Sequence, residues 1–491
     1  MNTNFDGLRR DIMKKILKRR IFLAASTLIL VFAFVFIISD QMVANYMVDT
    51  TPEHTDTPGA SSRVLVIAPH PDDETLGAGM LIKKTLVNGG KVKVVLMTNG
   101  DGYRVAAHLD YTKMTLTPKE YIHFGYTRQQ ESVKALTSLG LSESDIIFLG
   151  YPDGGLASLW SSNWSSPDSY TSPYTHADRS PYTTSFQKNR LYCGQNVVAD
   201  LSQIICDFQP TDIVMPHPND KHPDHWATNA FMKYTLTVLN YFPQKEWLYL
   251  IHRGLWPSPE AGSQNKGDLT PPAKLLKTGT KWYALDLTDQ EIKLKTEAIK
   301  LYYSQQKTLG FQMSCFEKQS ELFGQYTDAK LISRMRTDLE IMPNAANEVI
   351  QDPAQDNLLL DVDKGGDILA VYAEISKEGN LHLFMQTDQK MNKRLNEYRY
   401  NLVFINKEKS SHLTLTIKGN EVYVQDPTTD CTMAIANILA ANQGKCLELV
   451  IPKSIFSQPE FGHYDHVFID AESAFNSHLA DKTAWRMIDT R

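Results

Sequence analysis

Two stretches of this chain couple a strand-length apolar run to a His-Pro-Asp turn and then to a helical repeat. That repeated strand, loop and helix order points to an open α/β sheet. Val64-Leu65-Val66-Ile67-Ala68 reads as a buried β-strand and leads into His70-Pro71-Asp72-Asp73-Glu74. Residues 75–86 follow, with Leu and small residues at helical spacing. Asp212-Ile213-Val214-Met215-Pro216 gives a second buried strand, followed by His217-Pro218-Asn219-Asp220, His222-Pro223-Asp224-His225 and a helical stretch over 226–239. In open α/β sheets ligands sit beyond the carboxyl ends of the strands, so loops from two different strands can converge on one pocket.

The residue types in these loops are those of a catalytic zinc site, which takes three protein ligands and keeps one position open. His70, Asp73 and His225 supply that number. Zinc lowers the pKa of its water to about 7, and a base must then take the proton. Asp72 adjoins a ligand without needing to be one. His222, three residues before His225, is placed to protonate a leaving amine or to stabilise an oxyanion. The set describes metal-assisted amide hydrolysis. A single His-Pro-Asp run is also an ordinary turn, with Pro fixing φ and Asp accepting local backbone hydrogen bonds. Two of them, each after a buried strand, favour the metal. His217 and Asp220 stay open between groups that orient His222 or His225 and plain loop residues; Asp224 is grouped with Asp220.

Further motifs stand between and after these runs: Thr98-Asn99-Gly100, Arg128-Gln129-Gln130-Glu131 leading to Ala135 and Leu139-Gly140, Leu149-Gly150-Tyr151-Pro152-Asp153-Gly154-Gly155-Leu156, and Tyr302-Tyr303-Ser304-Gln305. With these in order, the chain from about Arg63 to Gln306 resembles the PIG-L or LmbE-like N-acetylglucosaminyl deacetylases. The resemblance implies a Rossmann-like three-layer α/β/α domain. It implies zinc on His70, Asp73 and His225, Asp72 as general base, and His222 as general acid or electrostatic stabiliser. Arg128 would contact the substrate, and Asp153 is taken with it. The plainer reading of Arg128 and Glu131 is an exposed helical pair worth a few tenths of a kcal/mol. Arg128 is read here as functional and Glu131 as structural.

The chain has 491 residues, more than one domain needs, and a net charge of -6, which makes nucleic acid a poor default partner. Residues 21–38 carry no charge, while Arg9, Arg10, Lys14, Lys15, Lys18, Arg19 and Arg20 crowd the preceding side. At about 1.5 Å per residue this run reaches about 27 Å, near the thickness of a bilayer's hydrocarbon core. The expectation is a basic cytoplasmic segment at 1–20, a transmembrane signal anchor at 21–38 and a polar linker at 39–62. The catalytic region then lies outside the cytoplasm, at the cell surface or in the periplasm. A cleavable signal peptide is the alternative, but no clean Ala-x-Ala site follows the run.

The deacetylase-like domain is expected over 63–342, with helix continuing to about Met335, and a linker over 343–357. Residues 158–182 read as a long loop whose Trp160, Trp164, Tyr170, Tyr174 and Tyr182 either face a sugar or pack the loop down. From 358 to 491 short apolar segments predict strands at 368–375, 381–386, 398–405, 413–417, 422–425, 447–451 and 467–469. These suggest a β-sandwich that either binds carbohydrate or serves as a structural cap. The five cysteines have no zinc-cluster spacing; export would permit a Cys431–Cys446 disulfide. The function expected is a membrane-anchored zinc deacetylase acting on an N-acetylated sugar or glycan. A catalytically silent glycan-binding protein and a small-glycoside deacetylase or amidase of a thiol pathway are the alternatives.

Overall fold

The computed structural model describes residues 51–490 apart from 258–266, 334, 357–364, 393, 406–409, 420, 427–430, 434–438 and 457–463. Its organising element is a sheet of eight strands: β1 (Glu53–His54), β2 (Arg63–Ala68), β3 (Lys91–Thr98), β4 (Ile146–Tyr151), β5 (Asp212–Pro216), β6 (Lys245–Tyr249), β7 (Lys281–Asp286) and β8 (Ser320–Gln325). They lie in the order β1-β7-β8-β6-β5-β2-β3-β4. The run β4-β3-β2-β5-β6 is parallel, and β8 returns antiparallel between β6 and β7.

Successive residues of a strand point to opposite faces, and here both faces are covered. Leu65, Ile67, Ile213 and Met215 share one core with α5 (Gly194–Phe208) and α6 (Pro223–Val238). Val64, Val66, Val94 and Val214 share the other with α1 (Asp73–Val87) and α3 (Pro118–Ser138). The remaining helices of this part are α2 (Arg104–Tyr111), α4 (Leu156–Trp160), α7 (Asp289–Ile299) and α8 (Tyr303–Ser314). The expected three layers follow from Val, Ile and Leu alternating between two apolar faces of the same strands.

Beyond β8 the chain builds two further sheets. One orders Ile332–Ser333, Ile368–Ile375, Leu381–Thr387, Cys446–Ile451 and Leu439–Gln443, with Glu348–Gln351 also paired to Ile368–Ile375. The other runs Cys431–Met433, Glu421–Asp426, Ser410–Lys418, Asn396–Ile405, His466–Phe475, Arg486–Asp489 and Ala329–Lys330, with His478–Lys482 on His466–Phe475. Val371, Leu383 and Leu449 of the first sheet and Tyr398, Leu402, Leu415 and Ile469 of the second bury one common core, the arrangement of a sandwich.

One end of the outer face of the second sheet is apolar too. Val403, Ile405, Phe468 and Trp485 belong to the same core as β2 and α6. Trp160 meets Trp485 edge-on at 5.1 Å, Trp226 lies 4.5 Å from Trp485, and Trp164 lies 4.6 Å from His412. Pro52–Arg491 is accordingly one compact unit.

Two expectations need correction. The predicted membrane span at 21–38 lies outside the described residues, and among those described no helix is long and apolar enough to cross a membrane. Helix α3, at 21 residues, has the length, but Lys119, Glu120, Arg128, Glu131 and Lys134 punctuate it. The fold is therefore an α/β part joined to a β-rich part, and the transmembrane helix is withdrawn from it. Second, helix does not continue to Met335: α8 ends at Ser314 and the chain enters β8. The cause is tertiary. Glu321 on β8 is fully buried, where it accepts from Met80 N and Leu81 N and pairs with Lys295 at 2.7 Å. Cys446 is a free thiol.

The aromatic seam yields a stability prediction. Trp160→Ala removes a large buried side chain wedged between the two parts and is expected to cost about 3–5 kcal/mol. Chemical denaturation measures this; a loss below about 1 kcal/mol would place Trp160 outside the cooperative core.

Candidate metal and catalytic site

Order in the sheet reverses between β2 and β5, which are neighbours although β3 and β4 intervene in sequence. Connections leave such a point in opposite directions and open a crevice at the carboxyl ends of the strands. The loops after β2, β3, β4, β5 and β6 all reach it. They bring His70, Asp72 and Asp73, then Asp153, then His222, and finally His252 to one cavity of about 370 Å³, with His225 fully buried behind them. Tyr174 of the aromatic insertion and Gln305, Met313 and Phe316 of and just after α8 complete its wall.

Asp73 Oδ2 is the focus. It lies 3.1 Å from His70 Nδ1 and 3.0 Å from His225 Nε2, and accepts from His70 N at 3.0 Å. On its far side His70 Nε2 is 3.1 Å from Asp153 Oδ1 and 3.3 Å from Asp224 Oδ2. His225 Nδ1 is 3.2 Å from Asp220 Oδ2. Both ring nitrogens of His225 are buried and, despite this proximity, neither is aligned as a hydrogen bond. A buried imidazole held against two carboxylates without hydrogen-bond geometry to either fits a divalent cation. His70, Asp73 and His225 are the residues that would hold it.

Electrostatics agree. Burial opposes charge on His70, but Asp153, Asp224 and Asp73 outweigh it and raise the imidazole well above its usual range. Burial likewise opposes charge on His225, yet Asp220 and Asp73 lift it to about 9. Asp73 itself, despite burial, is held well below the usual carboxylate range by His225 and His70. The carboxylates thus demand positive charge where a metal would sit.

Asp72 differs from its neighbour. Burial drives it up to about 8 against the pull of Arg128, whose Nη2 donates to Asp72 Oδ2 at 3.2 Å. Its backbone adopts φ 130°, a strained value for a residue with a Cβ, which turns the carboxylate toward the cavity's wall. Arg128 also donates to Pro71 O at 2.6 Å and Gly100 O at 3.0 Å. A Cβ at Gly100 would collide with Arg128 Nη1, and its φ of +63° also favours glycine. The Thr-Asn-Gly motif therefore makes room for the arginine.

His222 caps α6: its Nδ1 accepts from Asp224 N at 3.2 Å, so the proton resides on Nε2. Burial, with His70 and His225 adding repulsion, lowers it to about 4 and keeps the ring neutral near pH 7.

Asp220 and Asp224 both lie beside the candidate ligands. Asp220 also accepts from Ile251 N and His252 N, each at 3.0 Å, and Asp224 from Gly154 N and Leu156 N. His217 is turned away, stacked on Trp282 with its Nε2 3.1 Å from Thr280 Oγ1. Asp153 touches His70 and accepts from Gly102 N at 2.7 Å. Glu131 is buried, not an exposed helical partner of Arg128; it accepts from Ser304 N and Oγ and pins the start of α8. Of the aromatic insertion, Trp160 and Trp164 pack the two parts together while Tyr174 faces the cavity.

Sequence reading missed His252, whose ring is 4.7 Å from His225 and 5.2 Å from His222 and which groups with Asp73 and His225. The signal was present: Trp247 to Ile251 is an apolar run of strand character, and His252 follows it as His70 and His217 follow theirs.

Metal loading is expected to release protons near neutral pH, because His225, at about 9, must lose one to become a ligand. Apparent affinity should rise with pH toward about 9 and then level. Titration calorimetry in buffers of differing ionisation enthalpy tests this; affinity independent of pH between 6 and 9 would contradict it. Asp220→Asn, which weakens the support of His225, is expected to reduce metal affinity by about 10- to 100-fold.

Residues 65–235, the segment that supplies every one of these groups except His252 and the α8 wall, match the family described as PIG-L, GlcNAc-PI de-N-acetylase. Among curated proteins none matches the chain. Solved structures similar to it include N,N'-diacetylchitobiose deacetylase from Pyrococcus horikoshii, at 20% identity and TM-score 0.33, covering 54% of this chain and 83% of that one. A deacetylase of the teicoplanin biosynthesis pathway is similar at 16% and 0.35, covering 54% and 97%. A conserved protein from Thermus thermophilus is similar at 17% and 0.32, covering 53% and 93%. TM-scores this low assign no activity. The family match rests on the sequence itself, and residues 65–235 constitute a PIG-L family domain.

Proposed function

We propose that this chain is a zinc-dependent deacetylase that hydrolyses the N-acetyl amide of an N-acetylglucosamine-type sugar in a glycan or glycoconjugate. The observation that carries the reading is the meeting of His70, Asp73 and His225 with Asp72 and His222 at the β2/β5 crevice. The family description supports the reaction class and the sugar. The cavity supports a small polar group: Asp72, His222 and Gln305 line it beside Leu309 and Met313.

A bound zinc would supply Lewis acidity at the acetyl carbonyl and ease deprotonation of water. Asp72, which burial raises to about 8, takes the proton of the attacking water in its ionised form, the form that a cation bound beside it would favour. Arg128 holds its carboxylate in place and limits how far that pKa climbs. The neutral His222 presents Nε2–H to the carbonyl oxygen as negative charge develops there, and the proton that Asp72 took from water passes to the departing sugar amine. Acetate and a free amino sugar result.

Action outside the cytoplasm is proposed from sequence alone, on the charge asymmetry of the first sixty or so residues. A reporter fused after Ser62 tests it, and a cytoplasmic signal would reject it.

Substitutions separate the roles. Asp72→Asn should keep metal and lose about 10²- to 10⁴-fold in turnover of an N-acetylhexosamine substrate, measured as acetate release. His222→Ala should do the same, whereas Asp73→Ala and His225→Ala should lose the metal as well. Metal content measured alongside acetate release decides. Loss of metal in Asp72→Asn with full metal in Asp73→Ala would reverse the assignments, and full turnover in all four would end the reading.

A further inference from the structure

Three carboxylates outside the catalytic cavity meet where the α/β part joins the β-rich part. Asp352, Asp356 and Asp481 each bring an oxygen within 4.8 Å of the others. Asp352 is only 8% exposed, and neither of its carboxylate oxygens has a hydrogen-bond partner. Oδ1 of Asp356 is buried and unpartnered as well.

Positive charge is near but badly shared. Lys221 Nζ lies 3.0 Å from Asp356 Oδ2, and Arg253 Nη2 lies 2.6 Å from the same oxygen. Lys221 reaches Asp481 Oδ1 only at 3.9 Å. Asp481 is otherwise held by backbone: Oδ2 accepts from Ile368 N and Oδ1 from Lys482 N, each at 2.8 Å. Asp367, which accepts from Gln355 N and Asp356 N, adds a fourth carboxylate alongside. Two cations crowd one oxygen while Asp352 receives neither, so negative charge is in excess and out of water. A buried carboxylate with no partner is among the costliest groups a fold can carry.

We infer that Asp352, Asp356 and Asp481 bind a hard divalent cation of the calcium or magnesium class at this junction. The donors are all oxygen, with no imidazole or thiolate, which selects against zinc and for hard ions. The unpartnered oxygens of Asp352 and Asp356 are the free lone pairs such an ion needs, and water completes its shell. The ion would bind the β-rich part, through Asp352 and Asp481, to the loops that carry Lys221 and Arg253. The competing occupant is a proton: burial with Asp356 and Asp481 beside it pushes Asp352 well above the usual range, and burial pushes Asp481 to about 7. This site is independent of the deacetylase reading.

The test uses the full chain with its histidine site loaded with zinc, titrated near neutral pH with calcium, magnesium or manganese chloride in separate arms. Calorimetry and equilibrium dialysis should show one equivalent of at least one of these ions, and Asp352→Asn should abolish that binding with zinc content unchanged. Lys221→Met keeps all the carboxylates and removes a competing ammonium, so it should bind the ion about tenfold more tightly; it also decides the matter if Asp352→Asn fails to fold. No bound ion in either the unaltered chain or Lys221→Met at millimolar concentration would overturn the inference in favour of the proton. Binding retained in full by Asp352→Asn would overturn it as well.

Discussion

The arrangement of the candidate site depends on one buried oxygen, Asp73 Oδ2, and on its position at the first turn of α1. It draws His70 from its own loop and His225 from the β5 loop to within about hydrogen-bond distance. Those two loops are adjacent only because β5 inserts beside β2 in the sheet. Each imidazole is backed by further carboxylates, Asp153 and Asp224 for one and Asp220 for the other. Such a concentration of buried acid is stable only with compensating positive charge. The raised pKa values of His70 and His225 show protons filling that role, and a divalent cation fills it with ligand atoms already converged.

Adjacent carboxylates can do different work because their partners differ. Asp73 faces two imidazoles and is held ionised. Asp72, one residue earlier and in a strained conformation, faces a guanidinium and the cavity, and burial dominates it. The buried Arg128 tempers the pKa of Asp72 and fixes the direction of its carboxylate. The glycine at position 100 exists to let that guanidinium approach.

Much of the site was legible because its chemistry is written locally: strand, His-Pro-Asp, helix, twice. Apolar alternation exposed both sheet faces of β2 and β5, and the strands at 368–375, 381–386 and 398–405 were readable for the same reason. What was not legible depends on tertiary partners. Glu131 looked like an exposed helix residue since nothing nearby in sequence reveals Ser304. β8 read as helix because Glu321 owes its buried place to Lys295 and to the backbone of α1. The β-rich part read as separate, yet Leu402-Val403-Phe404-Ile405 is apolar without alternation. Leu402 and Phe404 enter the sandwich core while Val403 and Ile405 enter the α/β core. A continuous apolar run in an antiparallel strand marks burial on both faces. The insertion at 158–182 was ambiguous for a related reason: Trp160 answers to Trp485 and Phe468, some three hundred residues away, and Trp164 to His412.

That second buried face gives the catalytic loops a support they would lack in an isolated α/β domain. Lys221 and His222 are neighbours, as are His252 and Arg253, and in each pair one side chain enters the catalytic cavity while the other reaches Asp356. The two loops are tied to each other as well: Lys221 N donates to His252 O at 2.8 Å, and Asp220 accepts from Ile251 N and His252 N. Charge at the junction and histidine geometry in the cavity are therefore set by the same short stretches of backbone. A shift of the acidic cluster by a fraction of an ångström would be transmitted to His222 and His252 through a single peptide unit. Close-packed apolar surroundings leave little room to absorb it. The β-rich part thus holds from behind the loops whose His222 and His252 line the cavity.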